Sequence, residues 1–137
     1  MPTRIQRKRS KGWRMPEGAW YVGRPSRWGN PFDINTVGGR DIAIRLYRDM
    51  VQGIWDPRAT ATMSDDKVSM LYEAHRKWLS KLGWRSPREA ARVLLRGKDL
   101  ACWCPLCDRH RSGKPLLEQC PDCTPCHVDP LGELANS

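Results

Sequence analysis

Apolar residues recur at helical spacing in several stretches of the chain. From about Arg40 to Ile54, Leu46, Met50 and Ile54 form one row, with Ala43, Tyr47 and Val51 beside it, which predicts an amphipathic helix. Residues 55–64 read as a linker with a turn at Asp56-Pro57. A second stripe, Val68, Leu71, Tyr72, His75, Leu79 and Leu82, predicts a helix capped by Ser64, favoured at its start by Asp65 and Asp66 and closed by Gly83. On that stripe His75 reads as a core histidine. Ser86-Pro87-Arg88-Glu89 is a capping box with proline at the first helical position, and its helix runs through Ala90, Ala91, Leu94 and Leu95 to Gly97. Asp129-Pro130 predicts a last short helix through Leu131 and Leu134.

Between these helices lie short strand-like segments. Thr3 to Gln6 reads as an edge strand, Ala19-Trp20-Tyr21-Val22 as a buried strand closed by Gly23, and Asp99 to Cys104 as another. The glycines and prolines of Gly23-Arg24-Pro25-Ser26-Arg27-Trp28-Gly29-Asn30-Pro31-Phe32 mark a loop of defined path. Strands near 3–6, 19–23 and 99–103 joined by helices favour parallel pairing through crossovers. The expected fold is therefore a single α/β domain over 1–137: a small sheet of short, mostly parallel strands, flanking helices and a C-terminal cysteine-rich zinc loop.

Charge narrows the class of partner. The 137 residues carry 24 Lys and Arg against 15 Asp and Glu, a net +9, which favours polyanions such as nucleic acid or nucleotides. Residues 1–14 hold Arg4, Arg7, Lys8, Arg9, Lys11 and Arg14 with no acidic residue, the make-up of a basic arm. No apolar run is long enough to span a bilayer, so no membrane partner is expected. Nor does an apolar segment follow the basic start as a secretory signal would require. The expected location is the cytoplasm, where thiols stay reduced and the six cysteines read as metal ligands or reactive thiols.

Cys104-Pro-Leu-Cys107 and Cys120-Pro-Asp-Cys123 are C-x-x-C pairs separated by 12 residues. Facing turns of this kind offer tetrahedral sulfur coordination, which suits zinc. Within that loop His110 reads as a solvent-facing residue able to stand in for one of the four cysteines. Cys102 and Cys126 remain, with His127 beside the second. Cys126-His127-Val128-Asp129 leads into a helix N-terminus, where a thiol is expected to have a lowered pKa. The alternatives are a packing cysteine, a nucleophile, or a second metal site made by Cys102, Cys126 and His127.

Three longer motifs stand in order: Val22-Gly23-Arg24-Pro25-Ser26-x-Trp28-Gly29-Asn30-Pro31-Phe32, Leu95-x-Gly97-Lys98-x-Leu100-Ala101-Cys102-Trp103-Cys104, and Pro125-Cys126-His127-x-Asp129. With them the chain resembles an uncharacterised domain family widespread in bacteria and their phages, known mainly as a domain of unknown function. The resemblance implies a bacterial cell or phage-infected host, and Cys102, Cys104, Cys126, His127 and Asp129 as shared residues. It also implies that Leu106 to Thr124, with Cys107, Cys120 and Cys123, expands a link that is usually short. No reaction comes with it.

Ligands of open α/β sheets gather beyond the carboxyl ends of the strands, so the 23–32 loop and the Cys126 segment are expected to meet. There Arg24 and Arg27 would contact an anion, Ser26 and Asn30 would give directional hydrogen bonds, and Trp28 would stack on a base. Cys126, His127 and Asp129 would face them as catalytic groups. The competing assignment has Trp28 and Phe32 anchoring the loop while Asn30 satisfies backbone groups. Two functions are expected: a nucleic-acid- or nucleotide-directed protein, with processing of a base or nucleotide as its enzymatic form, or a non-catalytic zinc adaptor that binds DNA or protein through its basic arm.

Overall fold

A computed structural model of the chain describes residues 2–53 and 65–137. The expected linker 55–64 with its Asp56-Pro57 turn, Ile54, the Ser64 cap and the Asp65 side chain lie outside the described residues. The elements are β1 (Thr3–Gln6), β2 (Trp20–Tyr21), α1 (Ile34–Val37), α2 (Arg40–Gln52), α3 (Asp65–Lys81), α4 (Pro87–Leu94), β3 (Leu100–Cys102), β4 (Lys114–Pro115) and α5 (Val128–Asn136).

The helices end where their termini are chemically marked. Gly53 closes α2 at φ +77°, in the left-handed region that favours glycine. At the start of α4 the Glu89 amide donates to Ser86 Oγ at 3.1 Å, while a Glu89 carboxylate oxygen accepts from the Arg85 amide at 3.1 Å. The short helix α1 had no periodic stripe to announce it. It is held by Asp33, whose carboxylate accepts from the Asn35 amide at 2.8 Å.

The strands make one sheet in the order β2-β3-β1-β4. β3 runs parallel to both β1 and β2, with Leu100 opposite Arg4 on one side and Trp20 on the other. The protein is thus a small α/β fold with a mostly parallel sheet, as the alternation of strands and helices predicts. β1 is an internal strand, however, and not an edge. β4, from the cysteine-rich loop, pairs antiparallel along its outer side, with Thr3 opposite Pro115. Two residues ending in proline carry no strand pattern of their own, so only the tertiary path reveals that neighbour.

Side chains alternate across the sheet, and the register puts Arg4, Leu100 and Cys102 on one face and Ile5 and Ala101 on the other. All five are buried. The first face meets α5, which packs in turn on α2 and α4. Leu46, Tyr47 and Val51 of α2, Ala90 and Ala91 of α4, and Leu131 and Ala135 of α5 close the core. On the second face the expected basic arm is not wholly free of the fold: the Arg7 guanidinium lies 4.7 Å from the Tyr21 ring centre and 5.1 Å from that of Trp103. Among the described residues, no helix is long and apolar enough to cross a membrane.

Candidate functional site

The C-terminal segment crosses the sheet face near Arg4 and gathers the cysteines into two groups. The first is Cys107, His110, Cys120 and Cys123, whose ligand atoms all lie within 4.8 Å of one another. A single 3-10 turn, Asp108–His110, bends the chain so that His110 Nδ1 sits 3.2 Å from Cys107 Sγ and 3.4 Å from Cys123 Sγ. Cys107 and Cys120 sulfurs are 3.8 Å apart, and the Cys107 amide donates to Cys123 Sγ at 3.3 Å. Three sulfurs and one imidazole nitrogen around one point can hold a metal ion.

The second group is Cys102, Cys104 and Cys126. Cys104 therefore lies with β3 and not with the Cys107 set, where His110 stands in its stead. Cys104 stands two residues beyond β3, in the bend at 103–104, and stays near Cys102, whereas Cys107 lies three residues further along the chain. Cys102 and Cys126 sulfurs are 3.1 Å apart, and all six cysteines are free thiols.

Charge is distributed unevenly over this buried group. Hydrogen bonds from Cys102 and Cys126, then the Arg4 charge, hold the Cys104 thiol far below the ordinary range. Cys102 is pushed up to about 11, chiefly by its hydrogen bond to Cys104. Cys126 is raised as well, first by Cys102 and Cys104 and then by burial. The lowered pKa expected at Cys126 falls instead on Cys104, beside the other two sulfurs and Arg4.

Arg4 organises the surroundings. It is fully buried, lies 3.2 Å from an Asp129 carboxylate oxygen, and donates to the carbonyls of Thr124 at 2.7 Å and of Cys104 and Pro105 at 3.4 Å. Burial is the largest single effect on it and opposes the cation, but Asp129, Cys126, Cys102 and Cys104 together raise its pKa. Asp129 also accepts from the Cys126 amide at 3.3 Å and faces Lys114 Nζ at 3.5 Å. Its carboxylate is engaged in joining strand, loop and helix. Arg40 reaches the group from α2, 3.7 Å from Cys104 Sγ and 3.3 Å from the Pro125 carbonyl.

The 23–32 loop does other work. Asn30 donates to the Ala43 carbonyl at 3.0 Å and accepts from the Phe32 amide at 2.9 Å. Phe32 is fully buried, and Trp28 sits edge-on to Trp78 with ring centres 5.1 Å apart. Tyr47 donates to the Trp28 carbonyl at 2.6 Å. Trp28 and Asn30 are therefore anchors, and Trp28 has no face free for a base. Arg24, Ser26 and Arg27 instead line a cleft of about 260 Å³ closed from the α3 side by Leu71, His75 and Trp78. Among the described residues, two buried polar atoms of the residues lining it have no hydrogen-bond partner, Ser26 Oγ and His75 Nε2. His75 is only 8% exposed, and burial lowers its pKa to about 4, so its ring is neutral.

Among the described residues, the Cys126 segment approaches the residue just before the 23–32 loop, through His127. His127 Nε2 lies 2.8 Å from the Val22 carbonyl, just before Gly23. Burial lowers the His127 pKa, the Val22 hydrogen bond opposes that, and Arg24 and Arg4 add to the lowering. Cys126, His127 and Asp129 do not line the Arg24 cleft. Sequence reasoning read His110 as solvent-facing and able to stand in for one cysteine, and the structure places it in the first group, where Cys107-x-x-His110 repeats the spacing of the C-x-x-C pairs. The same reasoning left His75 in the core, since nothing local says that the apolar stripe of α3 borders a cleft.

No curated protein and no solved structure matches the chain. One family model does, over residues 5–137, a span that takes in the second half of β1, all three motifs and both cysteine groups. The chain accordingly belongs to the family described as a domain of unknown function, DUF4326.

Proposed function

We propose that this is a nucleic-acid- or nucleotide-directed protein and that the cleft between the 24–31 loop and α3 receives a phosphate-bearing ligand. One observation carries the reading: Ser26 and His75, whose Oγ and Nε2 are buried without partners among the described residues, line one cleft with Arg24 and Arg27. An unsatisfied buried polar group costs about 1–3 kcal/mol, which a ligand offering the missing partner recovers. The arginines suit phosphate oxygens, and Trp78 with Met50 and Leu71 offers an apolar wall to a base or sugar. The volume is at or below the usual range of about 300–1,000 Å³ for ligand pockets, which fits one nucleotide or one nucleotide of a strand.

Titration calorimetry with a panel of nucleotides and a single-stranded oligonucleotide at fixed salt tests this. Arg24→Gln is expected to weaken the best ligand roughly 10- to 100-fold, the effect of losing a charged hydrogen bond of about 1.5–3 kcal/mol. Unchanged affinity in both Arg24→Gln and Arg27→Gln would sink the reading. Gly29 gives an independent check. A Cβ there would meet the Arg24 backbone nitrogen at 2.9 Å, so Gly29→Ala must push the 24–29 turn apart. We expect it to lower affinity about tenfold or more while the helical circular dichroism stays unchanged.

Zinc is the ion we assign to Cys107, His110, Cys120 and Cys123, because soft thiolates and imidazole in four-fold arrangement favour it and a reducing cytoplasm keeps the thiols free. The second reading, a zinc adaptor that engages nucleic acid through its basic arm, is favoured by a different observation. Arg7 and Arg9 are held over Trp103, 5.1 and 5.0 Å from its ring centre, and Trp103 is exposed. Oligonucleotide binding that collapses with salt and with Arg9→Ala, yet ignores Arg24→Gln, would decide for it.

A further inference from the structure

We propose a second metal site, buried and structural, formed by the sulfurs of Cys102, Cys104 and Cys126 with His127 Nδ1 as the fourth ligand. It stands independently of the nucleotide reading. The three sulfurs lie within 4.8 Å of one another. His127 Nδ1 is 3.5 Å from Cys126 Sγ. Tetrahedral bonds of about 2.3 Å to sulfur and about 2.0–2.1 Å to nitrogen hold such atoms roughly 3.6 Å apart. The Cys102–Cys126 separation of 3.1 Å has to open by several tenths of an ångström to reach the roughly 3.8 Å of two sulfurs on one ion. The His127 ring, which lies outside the 4.8 Å group of three sulfurs, has to move toward Cys102 and Cys104.

The tautomer of His127 follows from its other nitrogen. A carbonyl only accepts, so the 2.8 Å contact with the Val22 oxygen places the proton on Nε2. In the neutral ring Nδ1 then carries a lone pair on the side of Cys126. A ligating histidine that donates its second N–H to a backbone carbonyl is the usual outer arrangement of a metal site. Tyr47 packs edge-on against the ring, centres 5.1 Å apart, and fixes its plane.

Charge points the same way. Three thiolates and a divalent cation leave one net negative charge in a buried place. Arg4 and Arg40, 3.7 Å from Cys104 Sγ, stand beside it. Binding requires no electron transfer: the ion enters as the dication and each thiol still protonated gives its proton to solvent. With four protein ligands no coordination position stays open, so the ion pins the end of β3, the start of α5 and, through His127, the exit of β2. Those are the segments of the three motifs, whereas the other, less deeply buried group lies on the 107–123 loop. In this site Cys126 and His127 hold metal and do not attack substrate.

Native mass spectrometry of protein purified under reducing conditions without chelator reads the outcome. Two zinc ions per wild-type chain are expected, and one in Cys120→Ser, which disables the Cys107 group. Cobalt substituted into Cys120→Ser is expected to show thiolate charge-transfer and tetrahedral ligand-field absorption. Adding His127→Gln should weaken cobalt binding by more than the about 10–100-fold typical of losing an outer partner. If that double variant fails to fold, the cobalt spectrum of Cys120→Ser decides alone. A folded Cys120→Ser chain that takes up neither zinc nor cobalt overturns the proposal, as does a mass two hydrogens lighter from a Cys102–Cys126 disulfide. One ion in both wild type and Cys120→Ser would retain the buried site and reject the other.

Discussion

Replacing Arg4 with methionine is expected to cost about 3–5 kcal/mol of stability, the range for removing one partner of a buried ion pair. Methionine fits the space along the arginine stem but supplies no donor. The carbonyls of Thr124, Cys104 and Pro105 would all lose a donor, and Asp129 would be left with the Cys126 amide at 3.3 Å and Lys114 Nζ at 3.5 Å. Because those carbonyls sit on the segments that carry Cys104 and Cys126, the loss should also loosen the buried cysteine group. Urea unfolding at saturating zinc measures the change. Arg4→Met combined with Asp129→Asn should recover part of it, since the second change removes the stranded charge. A loss under about 1 kcal/mol in the single variant would mean that Arg4 does not hold these segments together.

Acid should destabilise the protein through His75. Its folded pKa, about 4, lies below the ordinary value of 6.5 because burial disfavours the imidazolium. The unfolded chain therefore binds this proton more readily than the folded one. The stabilising contribution is complete above pH 6.5, is lost as the pH falls from 6.5 to 4, and changes no further below that. A shift of this size amounts to about 3 kcal/mol. His127, also lowered by burial, contributes with the same sign. The measurement is the difference between wild type and His75→Leu in urea midpoints across pH 4 to 7. The variant curve should be flatter over that window, and parallel curves would show that His75 does not titrate there. A ligand that engages His75 Nε2 in the cleft should be lost in the same variant even at pH 7.

The helices were legible in the sequence because their signals are local. The row of Leu46 and Met50, the Ser86 cap with Pro87 and Glu89, and Gly53 each act within a few residues, and the structure forms α2 and α4 on them. Of the strands expected in parallel, β2 and β3 are marked by short runs of aromatic or apolar residues, whereas β1, Thr3–Gln6, holds a single apolar residue, Ile5. The composition of the candidate site was also plain, since six cysteines and a Gly-Arg-Pro-Ser loop announce chemistry.

What the sequence by itself determined, then, is the set of elements, the α/β class and the residue types available for metal and anion binding. The tertiary structure alone decided which of them meet. Cys104, in the bend just past β3, goes with Cys102 and Cys126, and His110 takes the remaining place beside Cys107. β1 became internal because a proline-ended pair of residues in the distant loop covers its edge. Arg4, counted at first among the charges of a basic arm, is buried against Asp129, 125 positions away. Spacing along the chain encodes contacts within one turn or one strand, whereas contacts across such separations depend on sheet order and on which face a side chain takes. Neither is written in any local pattern of hydrophobic and polar residues.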